Sequence, residues 1–253
     1  METTYGSGTH AFSLATGSPG ELGLIAALAG AFARRAAARA TWVKAGTGES
    51  LRLLRERLVD MALVHAPAQV EQAVAAGWAS MPTPFGANRY CLLGPRDDPA
   101  GVCGAADAVA AFRRIAASEQ PFVSRGDDSG THHKELALWQ AAGIRPQAER
   151  YIVARDFMTA CLKRANAARA YFLCDSSTWV AERAVAPQLA VLFDGDPAFV
   201  NRYHALVVPP GATPGRDTAA GFARFLVSAD GQAILRDYGK AQFGRALYEE
   251  ISA

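Results

Sequence analysis

The sequence predicts an α/β fold of two lobes, each a mostly parallel sheet flanked by helices, with a ligand cleft between the lobes. Three observations point there. Short apolar runs alternate with helix-period segments along the whole chain, 253 residues exceed one small domain, and two Gly/Pro-rich clusters bracket a central segment of domain size.

Strand-like runs fall at His10–Thr16, Thr41–Ala45, Asp60–His65, Asn88–Gly94, Pro121–Ser124, Arg150–Val153, Ala170–Leu173, Leu189–Phe193 and Arg202–Pro209. Between them, apolar residues recur at three- and four-residue spacing: Leu22, Ile25, Leu28 and Phe32; then Leu51, Leu54 and Leu58; then Val109, Phe112 and Ala116. Gly77 and Gly143 stand where helices of this kind end in a left-handed cap. The clusters Met81–Gly86, followed by Gly94–Gly101, and Asp194–Pro197 interrupt the rhythm. They place residues 1–88 and 203–253 in a discontinuous first lobe and 89–202 in an inserted second lobe, with hinge crossings near 86–94 and 194–205.

Composition excludes several classes of function. Half the residues are apolar and a fifth charged, so the chain folds as a globular protein. Lys and Arg total 26 against 24 Asp and Glu, and a net charge of +2 is too small for backbone-driven nucleic-acid binding. The apolar run Leu22–Phe32 is shorter than the about 20 residues a bilayer span needs. Glu2, with no Lys or Arg before that run, speaks against a signal peptide within it. Cys91, Cys103, Cys161 and Cys174 lack zinc spacing and, with apolar neighbours, read as buried structural thiols, with a disulfide left open.

Ligands of such sheets gather at the carboxyl ends of strands, and three strand-to-helix loops there carry small polar residues. The richest is Ser124-Arg125-Gly126-Asp127-Asp128-Ser129-Gly130-Thr131-His132-His133-Lys134-Glu135. A helix N-terminus offers unpaired N–H groups and a partial positive charge, so Ser129, Gly130 and Thr131 suit an anion. Arg125 adds a planar fork matched to a tetrahedral oxyanion. Asp127 and Asp128 repel an anion unless they cap the loop or orient Arg125, and the competing reading is a solvated loop with a Ser or Asx cap. The second loop, Thr16-Gly17-Ser18-Pro19-Gly20-Glu21, and the third, Ala45-Gly46-Thr47-Gly48-Glu49-Ser50, offer hydroxyls and close backbone approach. Tyr171 either reaches a ligand through its hydroxyl or serves as a core tyrosine.

Enzyme chemistry has little support. No G-x-S-x-G elbow, P-loop or G-x-G-x-x-G pattern is present, and a hydrolase built on Ser129 and His132 lacks an identifiable third group. Adjacent His132 and His133 point to different sides of a helix and do not share a metal.

From about Leu14 to Phe243 the chain resembles the tungstate-binding, TupA-like solute-binding proteins of ABC transporters, related to molybdate-binding proteins. The matching stretches are Gly46-Thr47-Gly48, Leu63 to Pro67, Gly94 to Gly101, Ser124 to His132, Ala170-Tyr171 with Leu173, Asp175 and Thr178, and Leu192 to Pro197. The resemblance implies a periplasmic-binding-protein fold closing on an oxyanion, and no cofactor or resident metal beyond the oxyanion itself. It implies contacts from Thr16, Gly17 and Ser18, from Thr47 and Gly48, and from Arg125, Ser129, Gly130 and Thr131, with Tyr171 as a further contact. It also implies an ABC permease as partner, a monomer, and a periplasmic or extracellular site of action; a cytosolic sensor without a transporter is the alternative. Three departures stand out: Thr16-Gly17-Ser18-Pro19 replaces a TTTS-like run, Arg155-Asp156-Phe157-Met158 replaces a GQGM-like turn, and Phe172 and Cys174 replace threonines. They alter half of the pocket that the resemblance implies, with Arg155 a possible second cation and Asp156 a barrier to a dianion.

Overall fold

The computed structural model describes residues 2–146 and 149–251. Ten strands appear among them: β1 (Glu2–Tyr5), β2 (His10–Thr16), β3 (Ala38–Lys44), β4 (Met61–Val64), β5 (Ser80–Pro95), β6 (Phe122–Ser124), β7 (Tyr151–Val153), β8 (Tyr171–Asp175), β9 (Leu189–Phe193) and β10 (Val200–Val207). The chain divides into two compact units, one running to Ala87 and resuming at Arg202, the other Asn88–Asn201. It passes from one to the other within β5 and returns within β10.

In the first unit the strand order is β1-β3-β2-β4-β10. β2 pairs in parallel with β3 and β4, while β1 and β10 run antiparallel to their neighbours. All four residues of β4 are buried, as a strand covered on both faces requires. On one face the helix Leu24–Ala36 buries Ile25, Leu28 and Phe32, and Phe32 meets Phe12 at 6.0 Å and Phe222 at 5.3 Å between ring centroids. Leu51, Leu54, Val64, Val70 and Leu206 form a second cluster. The helix expected from Leu22 starts instead at Leu24, because Gly23 takes a φ of +84° and separates it from the short helix Ser18–Glu21. Asp60 is buried and fully used: it accepts the Ser13 amide at 2.7 Å, the Ser13 hydroxyl at 2.9 Å and the Thr213 hydroxyl at 2.5 Å.

The second unit orders its strands β9-β5-β8-β6-β7. β6 is parallel to β7 and β8, so the carboxyl ends of these three strands open on the same edge. β5 is antiparallel to β8 and β9. Tyr90, Phe112, Phe122, Trp139 and Leu173 belong to one apolar cluster, and Leu93, Val123, Leu162 and Phe172 to another. Parallel pairing thus holds the middle of the first unit and one side of the second, and the strands through which the chain crosses bring antiparallel neighbours.

Two local features differ from expectation. β1 is an edge strand whose polar residues give no apolar signal. β5 begins at Ser80 and runs through Pro82 and Pro84, since proline's fixed φ suits extended backbone where no ladder N–H is required. The four cysteines are free thiols: Cys91, Cys161 and Cys174 are buried and Cys103 is exposed. Gly143, with φ +70°, caps the helix Gly130–Ala142 as its sequence position suggests.

Candidate functional site

The parallel strands of the first unit deliver two loops to one edge. β2 and β3 are in register to Thr16 and Lys44, so the loops after them emerge side by side. Gly17 precedes the helix Ser18–Glu21, and Gly46 precedes the helix Thr47–Arg55 with extended backbone at ψ 171°. Thr47 is buried at the first position of its helix, beside Gly48, where amides lack intrahelical acceptors.

Thr16 departs from the donor role expected of it. Its Oγ1 donates to the Leu63 carbonyl at 2.9 Å, and its own carbonyl accepts the Trp42 indole N–H at 2.9 Å. A hydroxyl has one proton, so Thr16 ties β2 to β4 and has none left for a ligand. Trp42 also backs onto Gly20 so tightly that a Cβ there would fall 2.1 Å from its ring. Lys44 pairs with Glu21 at 2.5 Å.

In the second unit, Arg125 follows β6 directly and is only 3% exposed. One arm of its guanidinium is paired with Asp127, its centre lies 6.0 Å from the Phe157 ring, and its buried Nε has no hydrogen-bond partner among the described residues. Gly126 turns the chain at φ +60°, where a Cβ would meet Val153. The Ser129 amide donates to Asp127 Oδ1 at 3.3 Å, and Asp128 pairs with His133 at 2.9 Å. Asp127 is therefore turned onto Arg125 and the Ser129 amide, and Asp128 onto His133 of the following helix.

Ser129 caps the helix Gly130–Ala142, its Oγ accepting the His132 amide at 3.3 Å. Ser129, Gly130 and Thr131 are all buried. His132 Nδ1 accepts the Asp128 amide at 3.2 Å, and burial holds its pKa below the usual imidazole value. The Ser129 hydroxyl and the His132 imidazole are thus each bonded to a backbone amide rather than to one another, and the nucleophile–base pair of a hydrolase is not formed.

Beneath this loop lies a buried polar network that the sequence signals only in part. Asp175, the last residue of β8, accepts the Thr178 amide at 2.9 Å and its hydroxyl at 2.8 Å, a capping pattern legible in Asp175-Ser176-Ser177-Thr178. Asn88 donates to Asp175 at 3.2 Å and to Ser177 at 2.7 Å, and Asn201 donates to Asn88 at 2.7 Å. Tyr90 donates to Asn201 at 3.0 Å and is also bonded to the Thr131 side chain. Burial raises the Asp175 pKa, while Thr178 and the Arg125 charge pull it back.

Tyr171 is not brought to this edge. It starts β8, level with Phe122 at the start of β6, and lies four residues or ~13 Å from Asp175. Its hydroxyl donates to Asp98 at 3.0 Å and accepts the Ala100 amide at 2.9 Å, so it is the satisfied core tyrosine rather than a ligand contact. Arg155 and Asp156 do reach the edge, both exposed, and the Arg155 amide donates to the Arg125 carbonyl at 2.7 Å.

A family model described as a PBP superfamily domain matches residues 3–230. The tungstate-binding protein TupA of Peptoclostridium acidaminophilum is 32% identical over all of this chain and 89% of its own length. The chain belongs to the TupA-like family. A protein of Haloferax volcanii described as an ABC transporter anion-binding protein is 34% identical over 94% of this chain and 74% of its own. The solved tungstate ABC transporter structure from Geobacter sulfurreducens superposes with a TM-score of 0.82 at 31% identity, covering 92% of this chain and 100% of its own. These relatives are named as binding proteins of ABC transport and not as enzymes, and the domain they share with this chain is of the periplasmic-binding-protein kind. Among the described residues no helix is long and apolar enough to cross a membrane.

Proposed function

We propose that this protein binds a tetrahedral oxyanion, tungstate first and molybdate second, and hands it to an ABC permease outside the cytoplasmic membrane. The observation that carries the reading is Arg125: a guanidinium 3% exposed, with an unpartnered Nε, beside a capped helix N-terminus. Burying such a cation is costly unless an acceptor meets its free N–H. Asp127 occupies one arm and sets the orientation of the fork, and the oxyanion takes the unpartnered Nε–H together with the amides of Gly130 and Thr131.

Within the first unit, Thr47, Gly48, Gly17 and Ser18 are the residues that offer donors to an oxyanion, while Thr16 holds the loop of Gly17 and Ser18 through Leu63 and Trp42. Preorganised amides replace the water stripped from the anion without having to reorient. Sulfate carries the same charge, so discrimination rests on size and donor spacing.

Calorimetry with tungstate, molybdate, sulfate and phosphate tests the reading. Saturable tungstate binding is expected, lost by about two orders of magnitude in Arg125→Ala if a charge-assisted fork worth about 3 kcal/mol is removed. Binding of none of the four anions by the folded protein would refute it.

A further inference from the structure

The buried carboxylate of Glu135 is a polar group of the second unit for which the anion contacts alone give no reason. It stands on the anion-site helix Gly130–Ala142, is 1% exposed, and is approached from three elements. Tyr151 of β7 donates its hydroxyl to Glu135 Oε1, and Trp139 of the same helix donates its indole N–H to that oxygen at 3.3 Å. The Arg125 amide, at the end of β6, is a backbone partner of the same carboxylate. The titratable group facing it is therefore Tyr151 from β7, while the end of β6 brings the Ser124 side chain and the Arg125 amide. From the helix Ala108–Ala117, the Phe112 ring packs 4.6 Å from that of Trp139, and Arg113 donates to the Ala142 carbonyl at the far end of the anion-site helix. A buried acid is a costly core residue unless its bonds do something an apolar side chain could not.

We propose that Glu135 is a positioning residue of the anion site, clamping the Arg125 amide against β7, and that the bound anion senses its charge. The proposal rests on the oxyanion reading above. Glu135 lies five residues, or ~8 Å of helix rise, beyond Gly130. Its burial places its protonation near neutrality, with a pKa of about 7. A dianion arriving at the helix N-terminus repels the ionised carboxylate, so binding takes up a proton and weakens as pH rises. At this separation and an effective dielectric of about 60, close to that of water at a solvated helix end, the effect of a dianion is on the order of tenfold in affinity.

The test is tungstate calorimetry on the wild type and on Glu135→Gln between about pH 6.5 and about pH 8.5, where the carboxylate titrates. Each pH is run in two buffers of different ionisation enthalpy, with circular dichroism melting as the check on folding. The wild type is expected to lose about tenfold in affinity across the range and to take up a proton near neutrality, whereas Glu135→Gln binds with a flat profile. A variant with the wild-type slope, or a wild type without slope or proton uptake, overturns the proposal. Should Glu135→Gln not fold, the two-buffer proton count on the wild type decides alone. A wild type that binds none of the oxyanions at any pH fails the underlying reading instead, and the proposal with it.

Discussion

Asp127 holds one arm of the Arg125 guanidinium from two residues away while its other oxygen receives the Ser129 amide. The loop is thus braced before any anion arrives, and the fork is aimed rather than merely charged. Arg125→Lys keeps the charge and loses the planar geometry. Its tungstate affinity should fall at least about tenfold, or ~1.4 kcal/mol, in calorimetry. Undiminished affinity would mean that net charge alone recruits the anion.

The two threonines of the first unit should separate cleanly. Thr16→Val removes the bond to the Leu63 carbonyl and should cost about 1–2 kcal/mol of stability in urea unfolding. Its oxyanion affinity should change by no more than about twofold, because the hydroxyl proton is already committed. Thr47→Val should do the reverse, weakening binding about tenfold with little change in unfolding midpoint if its hydroxyl is a ligand donor. Equal loss of affinity in both would return Thr16 to the shell of direct contacts.

Asp60 gathers bonds from Ser13 and Thr213 at the start of β4, away from the anion loops. Asp60→Ala should destabilise the protein by about 2–4 kcal/mol, since the buried Ser13 amide loses its acceptor. Tungstate binding at saturating stability should be unaffected, which calorimetry well below the melting point would check.

Glu135 also sets a pH dependence of stability. Burial raises its pKa from 4.5 to about 7. Between those values the folded protein holds a proton that the unfolded chain has released, so stability falls as pH climbs through the window. The loss is complete above about pH 7 and amounts to about 3 kcal/mol. Urea midpoints measured on either side of the window should show this slope in the wild type and lack it in Glu135→Gln.

The loops and most strands were legible because their signals are local. β2 and β9 fall where alternating and apolar runs place them, and the capped helix after Arg125 follows from Ser129 and Gly143. What escaped depends on contacts far apart in sequence. Nothing near Thr16 announces that its proton goes to Leu63, 47 residues away, or that Trp42 covers Gly20. Tyr171 misleads for the same reason: its partner Asp98 lies 73 residues back and fixes it at the wrong end of β8 for a ligand. The network of Asn88, Tyr90 and Asn201 was unreadable because isolated polar residues inside apolar strands carry no period.

Cys103 is the one exposed thiol among the described residues, and its amide bonds to the same Asp98 that holds Tyr171, at the end of the second unit opposite Arg125. Burial and the neighbouring carboxylate raise its pKa, so alkylation there is slow at neutral pH and quickens in mild base. A maleimide fluorophore can therefore be installed on the unmutated chain, at a position that leaves the anion loops uncovered.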